Sequence, residues 1–118
     1  VLALVNAQRA SAGCAPVTAD DRLAAVARAH SADMRDRHFF SHTNPDGLNP
    51  FQRAEAAGIK YARAENIASG QPDPAAVMAA WMASDGHRQN ILNCSLRTLG
   101  VGVAQGAGGP WWTQLFGA

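Results

Sequence analysis

The chain of 118 residues is poor in the features that usually give a function away. It has one lysine, one tyrosine, two glutamates and two cysteines, and no run of like charge exceeds two residues. Ten basic against nine acidic side chains leave a formal net charge of +1. Without a clustered basic face, nucleic-acid binding has no electrostatic footprint. The longest uninterrupted apolar run, Ala75 to Ala83, has nine residues. That is under half of the ~20 that a membrane-spanning helix needs, so the chain reads as soluble, with no transmembrane segment. The opening apolar stretch, Val1 to Val5, stops at Asn6 with no small-residue cleavage pattern after it. It is too short for the apolar part of a signal peptide, so the N-terminus reads as a processed start with any export signal removed. No repeat, low-complexity tract or linker divides the sequence. What is there is a 47% hydrophobic, 16% charged composition with 25 alanines, which is globular rather than disordered. The length predicts a single domain spanning 1–118.

Cys14 and Cys94 form neither a CxxC nor a Cys/His metal spacing. A disulfide, two buried thiols and a catalytic thiol are the competing readings, and the even count in a small domain favours the disulfide. Such a bridge closes a loop of about 80 residues, for which chain entropy gives roughly 4–5 kcal/mol of stabilisation. It also points to an oxidising, extracytoplasmic compartment.

Periodicity places a helix over Val1 to Ala12, with Leu2, Val5 and Arg9 on one side and Gly13 ending it. Thr18-Ala19-Asp20-Asp21 offers a capping hydroxyl with acids in the first turn. The helix that follows carries Leu23, Val26, Ala27, His30, Met34 and His38 at three- and four-residue steps, through about residue 38. Phe39 to Leu48 reads as a loop around Asn44-Pro45-Asp46-Gly47. Asn49-Pro50 opens a short helix to Ala57, Ile59-Lys60-Tyr61 a brief strand, and Asp73-Pro74 a helix ending near Ser84. Leu99 to Val103 alternates strictly and Trp111 to Phe116 is rich in strand formers, which predicts a hairpin. Helices first and a hairpin last make an α+β domain. Gly100 and Gly102 share one face of their strand, so a packed helix or a cleft floor approaches it closely.

Among the residues able to do chemistry, His30 and His38 fall on the apolar side of a helix, where a packed histidine is the ordinary reading. His42 lies in a loop within Phe39-Phe40-Ser41-His42, His87 follows a helix in Ser84-Asp85-Gly86-His87, and Glu65 lies between short elements. No pair has the spacing of HExxH. A serine hydrolase lacks its GxSxG elbow, and a calcium loop lacks its ligand ladder.

The ordered set Phe40-Ser41-His42, Pro45-Asp46-Gly47, Glu65-Asn66-Ile67-Ala68, Trp81 to Leu92, Gly100-Val101-Gly102 and Trp112-Thr113-Gln114 covers nearly the whole chain. It resembles the CAP superfamily of cysteine-rich secretory proteins, venom antigens and class-one pathogenesis-related proteins, in its short bacterial, SCP-like extracellular branch. The resemblance implies an α-β-α sandwich with a central antiparallel sheet and an open cleft. It implies that His42 and His87 are the two cleft histidines, able to hold zinc or another divalent cation, with Glu65 as the first glutamate. Two neutral imidazoles suit such a cation, and a carboxylate can orient a ring or a bound water. The pattern's second glutamate is replaced by Ser84, with Asp85 beside it, and Ala64 stands where glycine is commoner. A weaker site follows, with Ser84, Asp85 and Asn66 in supporting places. The expected function is a secreted, monomeric binding module for a small lipid or peptide-like ligand. The alternatives are a zinc-dependent hydrolase with Glu65 as catalytic general base and a structural envelope protein.

Overall fold

The computed structural model describes all 118 residues. Its helices are α1 (Leu2–Ser11), α2 (Asp21–Asp36), α3 (Pro50–Ala56), α4 (Pro74–Met82) and α5 (Asp85–Ile91); its strands are β1 (Thr18–Ala19), β2 (Ala62–Ser69), β3 (Thr98–Ala104) and β4 (Trp111–Gly117). Three helices begin on a carboxylate or amide that accepts from an amide of the first turn. The Asp20 side chain takes Leu23 N–H, Asn49 takes Gln52 N–H in a capping box, and Asp73 takes Ala76 N–H. These bonds supply partners for otherwise orphaned donors. The cap of α2 is thus Asp20, while Thr18 belongs to β1. Burial alone raises the Asp20 carboxyl, but the Leu23 amide, the Tyr61 hydroxyl and Arg22 outweigh it and hold the group below its ordinary range.

The sheet order is β1-β3-β4-β2. The three long strands are antiparallel, as expected, but β1 pairs parallel to β3, so the sheet is mixed rather than purely antiparallel. The reason is local: β1 adds only two residues to the edge, through Thr18 N–H to Arg97 O and Asp20 N–H to Leu99 O, before α2 starts.

Helix α2 lies along one face. A Cβ at Gly100 or Gly102 would run into the backbone of Leu23–Ala24 or Ala27–Arg28. Two residues of strand advance by ~6.7 Å and four of helix by ~6 Å, so successive strand glycines meet successive helix turns. The close approach therefore comes from a packed helix. Ser31 on α2 extends the contact, bonding the Gly102 carbonyl and the Thr113 hydroxyl. On the other face Leu99, Trp112 and Phe116 pack with Val5 of α1, Val77, Met78 and Trp81 of α4, and Ile91 of α5.

Arg9 is fully buried in α1. Its guanidinium donates to the carbonyls of Ala15, Ile91, Asn93 and Leu96, while burial lowers its pKa. The Cys14–Cys94 disulfide ties the same two chain segments together.

Three expectations are corrected. Helix α2 ends at Asp36, and His38 lies beyond it, exposed, with a left-handed φ of 57°. The strand expected at Ile59 to Tyr61 instead begins at Ala62 and runs to Ser69. Residues after Ser84, including His87, form helix α5. The helix opening at Asp73 does end near Ser84, closing at Met82 with Ala83 as its cap.

Candidate functional site at the edge of the sheet

Strand β2 is the edge strand opposite β1. Its consecutive residues Glu65 and Asn66 point to opposite faces, and each fixes one histidine-bearing segment. Glu65 is opposite Leu115, on the face that α2 and α3 cover; Asn66 is opposite Gln114, toward α5. The two halves meet around the strand.

On the α2–α3 side, His42 Nδ1–H donates to Glu65 Oε1 at 2.8 Å. Arg53 Nη2 donates to both Glu65 oxygens at 2.9 Å and to the His42 carbonyl at 2.8 Å. Glu65 and Arg53 have side chains 1% and 8% exposed, whereas the His42 ring is 48% exposed. A carboxylate only accepts, so the Glu65 contact puts the proton on His42 Nδ1, and the neutral ring carries its lone pair on Nε2. The loop that delivers His42 is pinned upstream. His30 Nε2–H donates to the Ser41 carbonyl, and the His30 ring meets Phe39 edge-on at 5.6 Å.

On the α5 side, Asn66 Nδ2 donates to the His87 carbonyl and to Gln114 Oε1, and Asn90 Nδ2 donates to Asn66 Oδ1 and the Glu65 carbonyl. This amide network places the first turns of α5 against β2. His87 is partly buried; burial, and then the charge of His42, lower its pKa.

His42 and Glu65 are thus joined directly, while Asn66, on the opposite face of β2, is tied to the backbone of His87. Ser84 caps α5 without a side-chain bond to its first turn. Asp85 is not drawn in: it is exposed and paired with Arg88 three residues on. No group of three or more His, Cys, Asp and Glu side chains is arranged to hold a metal. Arg53 carries no signal in the sequence, because one arginine among nine on a seven-residue helix has no distinguishing spacing. Asn90 and Gln114 lie inside motif stretches, but as neutral amides they do not mark themselves as site residues.

No helix is long and apolar enough to cross a membrane. The profile of the cysteine-rich secretory protein family matches residues 2–116. The chain is 44% identical over 117 residues to the protein YkwD of Bacillus subtilis, covering 98% of this chain and 45% of that protein. It therefore spans less than half the length of that relative. Among solved structures it is similar to an extracellular protein containing an SCP domain from Bacillus anthracis, with 34% identity, a TM-score of 0.91, and coverage of 98% of this chain and 38% of that one. An outer surface protein of Borrelia burgdorferi shares the fold, with a TM-score of 0.88 at 22% identity over 98% of this chain and 87% of its own. The chain belongs to the cysteine-rich secretory protein family, as a CAP domain of the bacterial SCP-like type.

Proposed function

We propose that the chain is an extracytoplasmic binding module. In this reading His42 and His87 together hold a divalent cation such as zinc, and the open positions of that cation take a small lipid or peptide-like ligand. The observation that carries it is the Glu65–His42 hydrogen bond, with Arg53 holding the carboxylate in place. A carboxylate behind one ring nitrogen is the usual support for a histidine that ligates through the other. The donor set fits a borderline-soft cation, and two imidazoles without a third His, Cys, Asp or Glu make a weak, open site rather than a closed structural one. When bound, the cation supplies a Lewis-acidic anchor for an oxygen or nitrogen of the ligand. The chain's own contribution is to fix the ring of His42 and to seat α5. The disulfide, together with the extracellular and outer-surface character of the similar proteins, supports an extracytoplasmic setting.

The hydrolase reading requires Glu65 to take a proton from water. Both of its oxygens are engaged and its side chain is nearly sealed, whereas a general base needs hydrogen-bond reach to the proton it removes. This favours binding over catalysis. Zinc titration by calorimetry tests the reading. The parent is expected to take up one cation, and the double variant His42→Ala/His87→Ala to bind it at least about ten-fold more weakly. Equal uptake by the two proteins removes the metal site, and chelator-sensitive turnover of a peptide or ester library removes the purely binding role.

A further inference from the structure

A groove of about 820 Å³ runs between α2 and α3, flanked by the turn at Asn44 to Leu48. Its apolar wall is made of Ala25, Ala29 and Ala32 on one side and Ala56, Ala57 and Ile59 on the other. His30 and Arg53 line it too. His30 is 1% exposed and the Arg53 side chain 8%, yet His30 Nδ1, Arg53 Nε and Arg53 Nη1 have no hydrogen-bond partner. Buried polar atoms are nearly always paired, and an unpaired one asks for an explanation. Here three unpaired atoms belong to two residues of one groove.

Their chemistry is defined by the bonds the same side chains do make. His30 Nε2 faces the Ser41 carbonyl at 2.9 Å. A carbonyl cannot donate, so Nε2 carries the proton and the neutral ring keeps an unpartnered, buried lone pair on Nδ1. Arg53 uses only Nη2, on Glu65 and the His42 carbonyl. One N–H on Nε and two on Nη1 remain. The groove thus offers an acceptor and several donors beside a wall of methyl groups.

We propose that the α2–α3 groove is a second binding site, distinct from the His42–His87 site, for a neutral amphiphile. The apolar body lies along the alanine wall, and the head group, a hydroxyl or a carboxamide, donates to His30 Nδ1 and accepts from Arg53. The head is neutral because Glu65 already balances the Arg53 charge. A carboxylate would bring a second negative charge against the His30 lone pair, and an ammonium would face the guanidinium; the acids that also line the groove are already paired, Asp33 and Asp46 with Arg37 and Asp36 with Arg35, so an ammonium finds no free carboxylate there. Arg53 is the shared wall, with Nη2 serving the sheet edge and its other nitrogens serving the groove. Nothing in this proposal uses a bound cation, so it stands or falls apart from the metal reading.

The test is an NMR titration of the metal-free protein near pH 7.5 with 1-hexanol, hexanamide, hexanoate and hexylamine. Saturable shifts of the Ala25, Ala29 and Ala56 methyls are expected with the first two probes, at least about ten-fold tighter than with either charged probe, because a site with buried polar groups rejects a head that cannot pair with them. Ala29→Trp fills the exposed wall without entering the core, and is expected to abolish those shifts while the far-UV spectrum stays that of the parent. His30→Phe removes the acceptor and is expected to weaken hexanol binding by about ten-fold. The proposal is overturned by the absence of saturable groove shifts, or by hexanoate binding as well as hexanol. It is equally overturned by Ala29→Trp binding like the parent, which would mark an adventitious additive only.

Discussion

The two faces of the sheet are filled by opposite means. Toward α1, α4 and α5, the strands present Leu99, Trp112 and Phe116 to Trp81, Met78 and Val77, a core of large interlocking side chains. Toward α2, β3 presents Gly100 and Gly102, and the helix backbone itself lies against the strand. One face is held by large side chains throughout; on the other, a smaller cluster that includes Leu23, Val26, Ala54 and Leu115 flanks a strip where side-chain volume is absent. A face made of side chains can relax partly around a deletion, because neighbours shift into the space. A strip where two backbones touch has no give in the direction of addition. The small residues continue outward: the alanines on the far side of α2 leave the groove that α3 does not fill.

The largest effect is therefore expected from adding atoms where there is no room. Gly102→Val should abolish the folded state, costing more than about 4 kcal/mol, as read by circular dichroism and protease resistance. A variant that melts with the parent would break the comparison. Removing atoms from the opposite face should cost less. Trp81→Ala is expected to lose about 3–5 kcal/mol and to leave the Ile67 carbonyl without its indole donor, yet to retain a cooperative denaturant transition. A variant with no transition would mean that this face too has no room to adjust.

The smallest effect is a pH dependence on the α2 side. Burial and then the Arg53 charge lower the His30 pKa, against the opposing pull of Glu65, the Ser41 carbonyl and Asp33. A histidine depressed in the folded state binds its proton more readily when unfolded. Its contribution is then fully present above the unfolded value near 6.5 and is lost as pH falls toward the folded value. Between pH 6.5 and 5 the loss is bounded at about 2 kcal/mol. Urea melts at the two pH values, with the ring titration followed by NMR, check it; a His30 ring titrating at or above 6.5 would sharpen the contrast away.

The elements with regular periodicity or a capping pair are legible in the sequence. Leu23, Val26, Ala27, His30 and Met34 recur on one side of α2, and all are buried. Asn49-Pro50 and Asp73-Pro74 do open helices, and the alternation of Leu99 to Val103 does mark a strand of the hairpin. Strand β2 is hidden because Ala62–Ser69 is an edge strand covered on both faces. Its polar residues Glu65 and Asn66 are buried with Ile67 and Ala68, so no alternation shows. Helix α5 is hidden because it has seven residues, a glycine at its second position and only Ile91 buried. Arg9 stands out as charged among apolar neighbours, but nothing in a linear sequence says that four carbonyls from two distant segments will gather around it. The candidate site is legible as a set of residues through the family resemblance, and its geometry is not. That Glu65 faces one side of β2 and Asn66 the other follows from strand alternation only once β2 is known to be a strand.

One more consequence lies in how β2 ends the sheet. The outward carbonyl of Glu65 is taken by the Asn90 amide, and that of Ile67 by the Trp81 indole. An incoming foreign strand would have to evict both side chains before it could dock there. Long bare sheet margins invite polymerisation, and this margin is plugged beside the residues proposed for recognition. The domain can keep its histidine-bearing rim open to the surroundings without that rim becoming a seed for fibrils.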